Sequence, residues 1–290
     1  MSDAATSAIT VSSLTIYPVK SLRGVSLTEA EVADTGLAGD RVWQLVDPDG
    51  RPRTQRNDPV MATIDATPVS GGLRLSKDGA GAVEVEWPDN ASTDAFGLLG
   101  DPVSVGDGGD EAAAWLTDVI GAPTRLVANS GGFERRLGII PQPISFVDAG
   151  PVLLANRASY EALASEAKEP FPIERFRANI VVTGATPWAE DSWQAMSLGG
   201  ARLQTLIECP RCAMPQIDQL TGERHKEPAV VLKSRRWCPE APHLDDAIRG
   251  VVEGNALFGN YCGIGPAGSM VRLGDTLVVE STRTPTLTPS

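Results

Sequence analysis

Cysteine is scarce in this chain of 290 residues: there are four, too few for a disulfide scaffold. Basic charge is also short. With 25 Lys and Arg against 37 Asp and Glu, the net charge is −12, which opposes binding to a phosphate backbone gripped by Lys and Arg, so no nucleic-acid partner is expected. No run of about 18 apolar residues occurs, and the opening MSDAATSAITVSS has neither a basic nor an apolar stretch. No membrane span or secretory signal is read, and a cytoplasmic protein is expected. Thiols stay reduced there, so a conspicuous cysteine is catalytic, metal-binding or simply buried.

What the chain does have is short strand-like runs. Ile9-Thr10-Val11, Leu14 to Tyr17, Arg41 to Val46, Leu73-Arg74-Leu75 and Val83 to Trp87 are separated by turns such as Asp47-Pro48-Asp49-Gly50. A helix is expected after Asp107 and Asp110, where Ala112, Trp115, Leu116, Val119 and Ile120 share a face and Gly121 caps the end. A second is expected from about Asn156, its N-cap, to Lys168. Strand patterns return at Asn179 to Val182, Arg202 to Glu208, Ala229 to Leu232, and Met270 to Glu280 with a turn at Gly274-Asp275. Without βαβα alternation a doubly wound sheet is excluded, and the fold class expected is mainly β with some helices (α+β), a β-barrel core beside a smaller β-rich N-terminal domain. The pattern breaks near residues 128–132. This divides the chain into 1–8 (disordered), 9–128 (N-terminal domain), 129–280 (barrel domain) and 281–290 (disordered tail, almost all Ser, Thr, Pro and Leu).

Two of the four cysteines sit in Glu208-Cys209-Pro210-Arg211-Cys212, where the chain leaves a strand and Arg211 offers a cation to a thiolate. Structural zinc needs two more ligands, yet Cys238, Cys262, His225 and His243 stand singly. A thioredoxin-like couple opens a helix within a βαβ unit, and this pair lies between strands. Inert core thiols remain open, although Glu208, Pro210, Arg211 and Pro215 are poor core neighbours. Elsewhere, Lys20-Ser21, Arg41 in a Gly-rich turn, and Arg177 with Asn179 supply cations and donors suited to an anion, if the fold brings them together.

Seven landmarks in order resemble the MOSC family with its N-terminal β-barrel partner, over nearly the whole chain from Ile9 to Val279: Ile16 to Ser21, Gly39 to Trp43, Phe176 to Val182, Ala189 to Trp193, Cys209 to Cys212, Lys226-Glu227-Pro228 and Leu257 to Tyr261. The resemblance implies a molybdenum cofactor (molybdopterin) whose metal takes one protein thiolate, Cys212 by motif position. It also implies that Lys20, Ser21, Arg41, Arg177 and Asn179 hold the phosphate and pterin, that Arg211 tunes the thiolate, and that Asp148 relays protons. After Asp148 the chain reads Ala149-Gly150-Pro151, where the amidoxime reductases carry hydroxyl residues before the proline. The implied reaction is oxygen-atom transfer from an N-hydroxylated substrate such as an amidoxime or hydroxylamino base. Electrons would come from a separate flavin, haem or iron–sulfur protein, since four cysteines leave none to spare for a cluster. The alternative is a non-catalytic cofactor carrier or sulfur-transfer protein. No pyridoxal-phosphate sulfurase domain is present, so pyridoxal phosphate attaches to the family as a whole rather than to residues here.

Overall fold

The computed structural model describes residues 8–130, 133–136, 138 and 140–287. Its largest sheet runs in the order Leu277–Thr282, Trp193–Leu198, Ala201–Pro210, Asn255–Gly265, Val152–Asn156, Ile180–Thr183, Thr10–Ile16 and Val25–Leu27. The sheet closes on itself because Thr10–Ile16 meets the start of the last strand: Val11 N–H donates to the Asp275 carbonyl at 3.0 Å and Leu277 N–H to the Ile9 carbonyl at 2.8 Å. Closure removes the exposed strand edges that an open sheet would carry. Alternate residues fill the interior, among them Leu14, Ile16, Trp193, Met196, Leu198, Leu203, Cys262, Ile264 and Leu277. Each large side chain buried there contributes roughly 1.5–3 kcal/mol relative to exposure.

Most of residues 19–128 form a second unit around its own core of Trp43, Leu45, Met61, Leu73, Leu75, Leu116 and Leu126. One sheet is ordered Trp43–Val46, Arg125–Ala128, Pro102–Asp107, Thr93–Phe96; a three-stranded meander joins Asp65–Val69, Gly72–Lys77 and Gly81–Glu86. The expected helix is Asp110–Ile120. It turns Ala112 and Leu116 inward and ends on Gly121, whose φ of 78° is left-handed as its capping role requires. The linear division near 128–132 falls just after Arg125–Ala128, with Gly131 and Gly132 outside the described residues. Hydrogen bonding nevertheless gives Thr10–Ile16 and Val25–Leu27 to the large sheet, while Glu29–Ala33 pairs with Met270–Arg272, so the barrel is built from both ends of the chain.

Three expectations change. The run Ala229 to Leu232 is not a strand but the start of the helix Ala229–Arg235; four apolar residues are too few to display a period, and the adjacent burial of Val231 and Leu232 suits either element. The helix after Asn156 spans Arg157–Ala164, four residues shorter than expected, with the Asn156 side chain accepting from Ala158 N–H. It joins the parallel strands Val152–Asn156 and Ile180–Thr183 in a single βαβ unit. The tail is held as far as Leu287: Thr282 ends a strand, Arg283 N–H donates to the Ser192 carbonyl, and Thr286 N–H donates to buried Glu208 at 2.9 Å. Side-chain composition alone hides these bonds because the tail makes all of them with its backbone. Residues 1–7 and 288–290 lie outside the described part.

Candidate active site

Strand ends deliver the site. Lys20 and Ser21 follow Thr10–Ile16; Arg41 follows the turn after Gly36–Leu37; Arg177 and Asn179 precede Ile180–Thr183; Asp148 precedes Val152–Asn156; and Cys209 and Cys212 lie at the end of Ala201–Pro210. All of them, with Arg211, Met214 and Tyr261, line one pocket of about 620 Å³ counted out to its mouth. The structure therefore brings together every residue that the resemblance implicates in the site, but not Cys238, Cys262, His225 or His243.

Three of these residues have left-handed backbones: Ser21 (φ 65°), Arg41 (φ 49°) and Arg177 (φ 57°). Each costs on the order of 1–3 kcal/mol, and such strain persists only where surrounding contacts impose it. The contacts are visible. Arg41 donates to Asp40 at 2.6 Å, to the Asn179 amide oxygen at 2.9 Å and to the Arg177 carbonyl at 3.3 Å. Asp40 in turn accepts from Tyr17 N–H at 2.8 Å. The Tyr17 ring is shared by Arg41 and Arg177, whose guanidinium carbons are 4.3 and 4.0 Å from its centre. Burial, with Arg41 close by, pulls Arg177 down to about 10. Arg177 donates to Gln219 at 2.9 Å, and Gln219 and Gln55 exchange amide hydrogen bonds between the two units. The cradle remains short of partners: the Ser21 hydroxyl and one terminal nitrogen of Arg177 are buried and unbonded. Unpartnered donors beside two cations and one carboxylate suit an anion of phosphate type.

Lys20 is turned away from that role. Its ammonium donates to the Phe146 carbonyl at 2.7 Å and pairs with Asp148. Burial lowers Lys20, whereas Lys20 and Arg56, against the opposing effect of burial, hold the Asp148 carboxyl well below the usual range. An acid so firmly ionised is a poor proton donor at neutral pH. Tyr261, in the same pocket, has its hydroxyl raised well above the ordinary value by burial and by Cys209.

The two cysteines part company. Cys209 is buried, and burial raises its thiol; Arg211 donates to its sulfur at 3.0 Å and to the Phe176 carbonyl at 3.0 Å. Arg211 thus hydrogen-bonds Cys209 rather than Cys212, with which it interacts through charge alone. Cys212 is the exposed thiol of the four, and its sulfur accepts from Met214 N–H and from Arg56, each at 3.5 Å. Arg56 is 156 residues away in sequence, so no local pattern could have found it. Sequence reasoning also left Tyr17, Asp40, Gln55, Gln219 and Tyr261 without roles, although Tyr17, Asp40 and Tyr261 stand inside the landmarks. Cys238 and Cys262 are core thiols, Cys262 being pushed up to about 12 by burial. Among the described residues no three His, Cys, Asp or Glu side chains are grouped to hold a metal, so a metal at Cys212 would draw its other ligands from outside the chain.

Residues 8–123 match the MOSC N-terminal beta barrel domain and residues 141–278 match the MOSC domain. The chain belongs to the MOSC family. This MOSC protein is 31% identical to mitochondrial amidoxime reducing component 2 of Rattus norvegicus over 92% of its own length and 82% of that protein. It is 31% identical to human mitochondrial amidoxime-reducing component 1, over 92% and 81%. Molybdenum cofactor sulfurase of Danio rerio is 32% identical over 80% of this chain but only 31% of the longer relative. Among the described residues no helix is long and apolar enough to cross a membrane.

Proposed function

We propose that this MOSC protein binds a molybdenum cofactor in the pocket and reduces N-hydroxylated compounds, amidoximes and hydroxylamino bases among them. The observation that carries the reading is the meeting of the exposed thiol, Cys212, with a strained cationic cradle holding an unpartnered Ser21 hydroxyl and Arg177 nitrogen. Those residues fit a phosphate-bearing pterin: Ser21, Arg41, Arg177 and Asn179 would grip it, and Cys212 would give the metal its protein sulfur. When bound, the cofactor supplies the two-electron change and the acceptor for oxygen.

The chain's own residues do the rest. The Tyr17 platform and the Asn179 amide fix the cradle before any ligand arrives. Cys209 and Arg211 form a closed pair behind the Cys212 turn, so that the chain presents one soft ligand rather than two. Reduction of an amidoxime breaks its N–O bond, consumes two electrons and two protons, and releases the amidine and water. Tyr261 keeps its proton across the neutral range and so offers the pocket a hydrogen-bond donor, while the two protons come from solvent. Electrons come from a separate redox protein.

The test is elemental analysis of protein purified from a cofactor-competent host, with benzamidoxime reduction by the chemically reduced protein. About one molybdenum per chain is expected. Cys212→Ser, a hard hydroxyl in place of a soft sulfur, should lose metal and activity together, while Cys209→Ser should retain both. One zinc per chain without molybdenum would falsify the reading. A metal-loaded protein without activity would favour a cofactor carrier.

A further inference from the structure

Arg56, delivered by the N-terminal unit, reaches two side chains that line the pocket. One of its terminal nitrogens bridges two groups of the barrel, the Asp148 carboxylate at 3.4 Å and the Cys212 sulfur at 3.5 Å. An ordinary surface ion pair is worth about 0–1 kcal/mol and would need no explanation. This one differs in three respects. Its side chain is only 20% exposed. Its backbone is pinned: the Arg56 carbonyl accepts from the Arg224 side chain, Asn57 and Asp58 N–H both close on the Thr54 carbonyl, and the neighbouring Gln55 is locked to Gln219. And its charge is only half spent, because Asp148 is already paired with Lys20, leaving two cations for one carboxylate.

The other cations of the site are committed deeper. Lys20 holds Phe146 and Asp148, Arg41 holds Asp40 and Asn179, Arg177 holds Gln219, and Arg211 holds Cys209. The described residues leave the remaining N–H donors of Arg56 without a partner, next to the sulfur where chemistry is proposed. A planar guanidinium with donors to spare recognises an electron-rich oxygen.

We propose that Arg56 is a positioning residue of this site: its guanidinium, steadied by Asp148, holds the oxygen of an N-hydroxylated substrate beside the Cys212 sulfur. The inference rests on the functional reading above, but one arm of its test does not depend on a bound cofactor. Cys212 is the exposed thiol, so disulfide reagents report on it. Its rate with dithiobis(nitrobenzoate), a dianion, is divided by its rate with neutral dithiodipyridine; the ratio cancels sulfur ionisation and reads the local cation. Arg56→Met should lower the ratio about tenfold, and Arg56→Lys should preserve it. In metal-loaded protein, Arg56→Met should lower kcat/KM for benzamidoxime about tenfold or more with pterin content unchanged, and Arg56→Lys should recover only part, since a point charge lacks the fork. An unchanged ratio in Arg56→Met, or unchanged kcat/KM with metal bound, overturns the proposal. Loss of pterin from Arg56→Met with the ratio intact also overturns it, in favour of a purely structural turn. Absence of molybdenum from the wild-type protein defeats the functional reading instead, and the reagent ratio still decides whether Arg56 governs Cys212.

Discussion

Arg41 and Arg177 both pack against the Tyr17 ring, their guanidinium carbons 4.3 and 4.0 Å from its centre, although 136 residues separate them. Two like charges this close repel, and the aromatic ring they share, with Asp40 beside Arg41, offsets that repulsion. The arrangement is a pre-assembled positive clamp.

Tyr17→Leu should therefore release both guanidiniums from their stacked positions and reduce pterin retention roughly tenfold, each cation–π contact being worth about 0.5–2 kcal/mol. Tyr17→Phe should behave as wild type, because the hydroxyl makes only a long 3.4 Å bond to the Ala178 carbonyl. Pterin fluorescence after gel filtration, with a thermal melt as control, measures both. Equal losses in the two variants would move the effect from the ring to the hydroxyl.

A second prediction concerns the buried acids Glu190 and Asp191 in the turn just before Trp193–Leu198. Burial, with Asp191 adjacent, raises Glu190 to about 7; burial and Glu208, resisted by Arg236, raise Asp191 to about 6. Folded values above the unfolded ones mean that the native state holds more protons. The stability these acids contribute is thus fully present below about pH 4 and is lost as pH rises through 6 to 7. Glu190→Gln keeps the bonds from Asn156 and Ser159 in kind while removing the titration. Melting temperature from pH 5 to 8 should fall more steeply in wild type than in the variant; parallel profiles would refute the assignment.

Arg283→Met should destabilise the protein by about 3 kcal/mol. Glu208 has a side chain 1% exposed and lies 3.1 Å from Arg283, and the loss strands its charge. Glu208→Gln in the same background should restore most of the stability in chemical denaturation, since the stranded charge is then gone. Failure of that rescue would show that Arg283 acts through packing alone.

How much of this was legible in the sequence depended on whether the signal was local. The helix ending at Gly121 and the cap at Asn156 were readable because each is written within a few neighbouring residues. Lys20, Ser21, Arg41, Arg177, Asn179 and Cys212 were readable as motif positions, yet their convergence is a property of strand ends meeting across the barrel. Arg56 and Gln219 were not readable at all: an Arg in a polar turn and a Gln beside an Asp look like solvated surface, and only the docking of Gln55 on Gln219 gives them a place. Arg211 misled because its guanidinium hydrogen-bonds Cys209 rather than its sequence neighbour Cys212. Ala229 to Leu232 misled because four apolar residues fit a strand or a helix equally well.

The pairing of Thr10–Ile16 with Ile180–Thr183, and of Val11 with Asp275, also sets a schedule for biogenesis. Thr10–Ile16 can pair early with Val25–Leu27, but the edge that takes Ile180–Thr183 stays open until that strand has been made, on the order of tens of seconds at about 5–20 residues per second. Until then the first strand's inward-facing Leu14 and Ile16 have no barrel to enter. Ser21 sits shortly downstream of that strand and Arg177 just ahead of Ile180–Thr183, so the cradle cannot be set before those two strands pair, and a ligand that needs both residues is bound only after that stage.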